Sequence, residues 1–186
     1  MDMEFRNYKT FLEQFKPEHQ SIFHLAVTVE RYFYFAEIQV NIFKEKIDQM
    51  YHRSNDERFS DTCYSSCFAM YAHIRTCLEA NKRLADELQR LKSDTELKEF
   101  RDQHSAHIQN IIDIANNIVK HPLDKNGKVQ FYEPGGFDNV GEVTIYEWSS
   151  TDDHHFELPK IHPLKDLQRV FDYLETVSVI YLKIIN

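Results

Sequence analysis

Apolar residues recur along most of this chain at the three- and four-residue spacing of helix faces, and one stretch after residue 126 alternates in twos instead. Residues 5–15 (FRNYKTFLEQF) predict a short amphipathic helix that ends near Pro17. Residues 18–51 predict a long helix whose apolar positions cover so much of its circumference that it should be the central buried element. Within it, the run Tyr32, Phe33, Tyr34, Phe35 reads as core and interface packing rather than a ligand cage. HRSNDERFSD (52–61) reads as a loop in which Ser60 or Asp61 caps a helix running from about 62 to 92. The charged second half of that helix, EANKRLADELQRLK, reads as solvated. Ser93 is the expected cap of a further helix over 94–121, stopped at His121–Pro122.

The character changes at LDKNGKVQFYEPGGFDNVGEVTIYEWSS. Asn126–Gly127 and Pro134–Gly135–Gly136 are turn signals, and GKVQFYE and GEVTIYEW alternate, which predicts a β-hairpin at about 127–148. STDDHHFELPKIHP then reads as an acidic, histidine-bearing loop. A last helix follows from 164 to the C-terminus, with Leu167, Val170, Phe171, Leu174, Val177, Tyr181 and Ile184 on one stripe. The fold class expected is therefore mainly α: an antiparallel helical bundle with one inserted β-hairpin, forming a single domain over 1–186.

Composition agrees with long helices, since the 186 residues hold only four Gly and five Pro against 13% aromatic side chains. A formal charge of −8 argues against a general nucleic-acid binder and requires any RNA contact to have a local basic site. Glu30, Arg31 and Glu37 exclude a membrane span in the long helix, and the N-terminal residues contain no apolar run of signal-peptide length. Cys63, Cys67 and Cys77 are odd in number and fall on one helix, as suits reduced thiols. The expectation is a cytoplasmic protein with no membrane association.

The segment FRDQHSAHIQNIIDIANNIVKHP (100–122) sets an arginine and two histidines among isoleucines. With Arg101 at zero and about 100° per residue, Ile108, Ile111, Ile112, Ala115, Ile118 and Val119, with Leu97 and Phe100 upstream, lie between roughly 260° and 20°. His104 falls near 300° and His107 near 240° on the same scale, so all three polar residues lie on the apolar arc or its edge. An arginine there needs a carboxylate, a carbonyl, a wet cleft or a partner. Two readings follow. Either Arg101 pairs with a buried acid such as Glu30 or Glu37 and the histidines are satisfied packing residues, or the three line a cleft or subunit interface able to take a phosphate.

Arg101–Asp102–Gln103–His104–Ser105–Ala106–His107 resembles the signature of the HEPN superfamily, an arginine followed four to six residues later by a histidine, often with Asn or Asp after the arginine and Ala before the histidine. That resemblance implies a helical bundle, often a homodimer across the motif helix, here 94–121. It also implies a metal-independent endoribonuclease of a toxin–antitoxin, abortive-infection or phage-defence system, with RNA as substrate and an antitoxin or defence protein as partner. Arg101 and His107 would be the catalytic pair, with His104 assisting and Asp102 at the polar, substrate-facing position. Such chemistry needs no cofactor: the RNA 2′-hydroxyl is the nucleophile, a histidine moves the proton, and a guanidinium holds phosphate oxygens. The alternative, from another class, is a non-catalytic helical interaction or regulatory protein of a defence system. Asp113–Ile114–Ala115–Asn116–Asn117–Ile118–Val119–Lys120–His121 is similar to a second motif of some HEPN-like proteins, but Ile112 stands where an arginine is expected, and His121 lies about 21 Å along the helix axis from His107. His121 is therefore left out of the catalytic set.

Metal sites are less well supported. Cys63, Cys67, His73 and Cys77 lie at one-turn spacings, yet ligands on one continuous helix cannot close a tetrahedron. Asp152, Asp153, His154, His155 and His162 suit a divalent ion by type, but a solvated polar loop is the commoner outcome of such a composition. Phosphate loops, nucleophile elbows and zinc-protease motifs are missing.

Overall fold

The computed structural model describes residues 3–15, 19–50, 57–119, 130–137, 142–149, 152–157 and 161–186. Its helices are α1 (Asn7–Glu13), α2 (Gln20–Met50), α3 (Glu57–Leu91), α4 (Thr95–Val119) and α5 (Pro163–Ile185), and they make a mainly α, bundle-like fold. Helices α2 and α3 pack extensively on each other, and Ala26, Val29, Phe33, Ala36, Val40 and Phe43 of α2 and Cys67, Met70, Ile74 and Cys77 of α3 are buried in one core. None of the helices over the described residues is long and apolar enough to cross a membrane. The aromatic run of α2 is divided, with Phe33 buried and Tyr34 and Phe35 exposed.

The stripe predicted for α5 is buried, apart from a half-buried Phe171, and α5 lies against α1, α3 and α4. Glu175 on α5 also fixes the short α1, its carboxylate oxygens accepting the Asn7 and Tyr8 backbone N–H groups at 3.0 Å each. An anion at a helix N-terminus satisfies donors that have no intrahelical acceptor.

Three local expectations are corrected. Helix α3 starts at Glu57 rather than 62, because ERFSD contains neither Gly nor Pro to halt a helix growing backward. The N-cap of α4 is Asp94, not Ser93: its Oδ1 accepts the Leu97 N–H at 2.8 Å. The second half of α3 is not a solvated stretch, since Asn81, Leu84, Ala85 and Leu88 are buried where α4 and α5 both cover it.

Strands β1 (Gln130–Phe137), β2 (Val143–Ser149) and β3 (Asp152–Glu157) form an antiparallel sheet in chain order. The β1–β2 pair falls where alternation predicts it, and its connecting residues lie outside the described ones. Register shifts between Pro134 and Gly136, where proline has no N–H to give to the ladder. Strand β3 corrects the expected loop: DDHHFE lacks an apolar alternation, yet an edge strand needs only backbone partners, which β2 provides. Val143 and Ile161 exchange backbone hydrogen bonds of 2.9 and 3.0 Å, tying the sheet to the entry of α5.

Next to that entry, the Tyr71 hydroxyl of α3 donates to Asp166 Oδ2 of α5 at 2.6 Å, and Arg169 Nη1 lies 3.2 Å from Asp166 Oδ1. His162 Nδ1 stands 3.2 Å from Glu142 Oε1. Cys63, Cys67 and Cys77 are all free and buried.

Candidate functional site

Helix α4 follows α3 after a short connection and lies against both α3 and α5, so the residues of α3 one turn apart meet those of α4 one turn apart. Leu97, Ile111 and Ala115 are buried and make the seam. Beside this seam the two helices diverge and leave a groove of about 320 Å³. Leu78, Lys82, Ala85 and Gln89 form its α3 wall at helical spacing. Lys98, Arg101, Asp102, Ser105, Ile108 and Ile112 form the α4 wall, with His104 and Tyr173 at the α5 side.

Arg101 therefore opens on a groove. Its Nη2 lies 2.8 Å from Asp86 Oδ1, with 28% of the arginine side chain and 46% of the aspartate exposed. The pairing with Glu30 or Glu37 does not form. Those acids sit on α2, line a separate cleft near the N-terminal segment, and Glu37 accepts the Met3 backbone N–H at 2.9 Å. The acid that reaches Arg101 comes from the helix that α4 packs on.

His104 is half-buried and stacks on Phe100, ring centroids 4.1 Å apart at 26°, with Tyr173 5.7 Å away. Its Nδ1 lies 2.9 Å from the Phe100 carbonyl oxygen. A carbonyl can only accept, so this contact places a proton on Nδ1 and leaves Nε2 of the neutral ring as the basic nitrogen. Asp102 is exposed at the groove edge, and its carbonyl oxygen accepts the Ser105 hydroxyl at 2.9 Å. His107 is exposed on α4 and is not among the residues that line the groove. One chain thus brings Arg101, Asp102 and His104 together and leaves His107 apart.

Asn81 and Tyr173 of the groove lining belong to a polar cluster with the buried Tyr181. Tyr181 donates its hydroxyl to Asn81 Oδ1 at 3.1 Å, and Tyr173 hydrogen-bonds with Asn81 as well. Burial pushes the phenols of Tyr173 and Tyr181 up, while the Arg101 guanidinium and Asn81 act in the opposite sense. These groups are neutral donors at ordinary pH. Gln89 gives its Nε2 to the Asp94 carbonyl at 3.1 Å, and its Oε1 is buried without a hydrogen-bond partner.

The groove differs from the protein as a whole in charge. Lys82, Lys98 and Arg101 line it with Asp102, and Asp86 pairs with Arg101 from beside the lining, so cations outnumber carboxylates here whereas the chain carries −8. Such a surface can hold an anion, and His104 offers a base beside it. Periodicity pointed to Arg101 and His104 but not to Lys82, Asn81, Gln89 or Tyr173. The signal for the α3 wall was the 78, 82, 85, 89 spacing.

Among the described residues, no group of three or more potential ligands is placed to hold a metal ion. The side chains of His154 and His155, and the whole of His121, lie outside the described residues. No protein-family model, no curated protein and no solved structure matches the chain.

Proposed function

We propose that the chain is a HEPN-like, metal-independent endoribonuclease whose working groups converge on the groove between α3 and α4. The observation that supports this reading is the presence of Arg101 and His104 on one cation-lined groove, with the Nε2 of His104 left as the base by its Nδ1 contact. In this scheme Arg101 holds the nonbridging phosphate oxygens, and Lys82 and Lys98 hold the flanking phosphates. His104 Nε2 takes the 2′-hydroxyl proton, the 2′-oxygen attacks phosphorus, and the bond from phosphorus to the 5′-oxygen breaks to give a 2′,3′-cyclic phosphate. The departing 5′-oxygen needs a proton. His107 provides it when two chains pair across α4, which is the homodimer the motif implies. A toxin–antitoxin or phage-defence setting, with a defence protein as partner, belongs to the same reading.

A second reading has a specific observation behind it. The Arg101–Asp86 ion pair satisfies the arginine internally, as expected for a non-catalytic helical interaction or regulatory protein. Cleavage of single-stranded RNA in the presence of EDTA separates the two. On the ribonuclease reading wild type is expected to cut, and His104→Ala and Arg101→Ala are each expected to lose activity by about 10²- to 10⁴-fold with an unchanged circular-dichroism melt. His107→Ala loses activity as well, and mixing it with His104→Ala restores part. Intact RNA with wild type, or cleavage that survives both groove substitutions, leaves the interaction protein as the reading.

A further inference from the structure

We propose that Asp86 occupies on Arg101 the place that a phosphate oxygen takes, so that an internal carboxylate guards the groove and a phosphate group enters by displacing it. This rests on the reading of the groove as a phosphate site and adds how that site is controlled.

Asp86 Oδ1 lies 2.8 Å from Arg101 Nη2, in reach of the donors that a guanidinium can offer in parallel to a phosphate. The aspartate side chain is 46% exposed, so it can turn into water when displaced. Arg101 lines the groove together with Asn81 and Tyr173, and its side chain is only 28% exposed, so it has less freedom to turn away than the aspartate. Lys82 and Lys98 stand exposed on the facing walls, and neither has a carboxylate partner among the described residues. A phosphate dianion would meet three cations, opposed by the Asp102 carboxylate at the edge, where Asp86 engages one. The exchange therefore favours a ligand of higher charge and leaves simple carboxylates and chloride outside.

The sign of one measurement decides the matter. A carboxylate that orients Arg101 for substrate strengthens phosphate binding, so its loss weakens affinity. A carboxylate that competes for Arg101 does the reverse. Isothermal titration of the full chain with inorganic phosphate at fixed low salt is expected to give roughly fivefold tighter binding in Asp86→Asn and Asp86→Ala than in wild type, the ratio set by the value of a part-exposed ion pair. Arg101→Ala should abolish the heat. Glu99→Gln, which removes an exposed charge elsewhere on α4, controls for the general field and should change affinity less than twofold. Equal or weaker affinity in either folded Asp86 variant overturns the proposal, as does an equal gain in Glu99→Gln. The outcome is independent of catalysis: tighter phosphate binding with no RNA cleavage by any form keeps the gate and removes the ribonuclease, and cleavage by wild type with unchanged phosphate affinity does the opposite.

Discussion

Asp166 and Asp86 each join α3 to a neighbouring helix through a polar contact, one at the α3–α5 junction near the sheet and the other at the α3–α4 groove. Asp166 is 4% exposed and receives a buried tyrosine hydroxyl at 2.6 Å, whereas Asp86 is half in water and meets a guanidinium at 2.8 Å. Distances alone rank the two alike. Burial separates them, because a polar group without water loses its full desolvation energy when its partner is removed, and a solvated one finds water instead. The first contact is a permanent joint. The second can trade its partner for water at little cost.

The largest effect that tests this contrast is Tyr71→Phe. It removes only a hydroxyl, yet it takes a hydrogen bond from a buried carboxylate, and the expected loss is about 2–3 kcal/mol, or a fall in Tm of roughly 5–10 °C for a chain of this size. Arg169, half-exposed at the same acid, should cost under about 1 kcal/mol when changed to Ala. A Tyr71→Phe protein that melts with wild type would mean that the junction is as replaceable as the groove.

A smaller effect follows from the same wall of α3. Burial pushes the Cys63 thiol up to about 11 against a weaker opposing pull from Lys46, and pushes the neighbouring Tyr64 phenol up to about 12. Burial raises Cys67 and Tyr71 as well, with Asp166 adding to both. Each of these acids binds its proton more tightly folded than unfolded. For Cys63 the stability contributed is complete below the ordinary thiol value of 9 and is lost as pH rises through the folded value near 11. Urea midpoints should fall between pH 9 and 11, and the slope should flatten in Cys63→Ala. An unchanged slope in that variant would show that the thiol does not take part.

How far these regions were legible in sequence depends on what carries the signal. The five helices follow from three- and four-residue apolar spacing, which burial against any neighbour produces. Strand β3 was not legible, because its residues are polar and only the backbone of β2 calls for them. Arg101 and His104 stood out by lying inside an apolar arc, and both line the groove. His107, at the edge of that arc, turns outward, since a position some 60° from the seam goes to whichever side has no neighbour. Asp86 was hidden for a different reason. It sits in a charged run that reads as solvated, and its pairing with Arg101 exists only once α4 has folded back on α3.

The smallest expected effect sharpens the comparison most. Asp86→Asn keeps the shape of the side chain and removes its charge, so it tests the ion pair without opening a cavity. Exposed and half-exposed pairs are typically worth about 0–1 kcal/mol, since each charge regains water and rotamer freedom when freed. Asp86→Asn should therefore melt within about 3 °C of wild type, and the difference should shrink further in added salt. A drop as large as that of Tyr71→Phe would show that Arg101 depends on Asp86 to hold its place in the groove. The carboxylate would then be part of the architecture rather than a guard on the groove, and the two junctions would be one kind of contact at two depths.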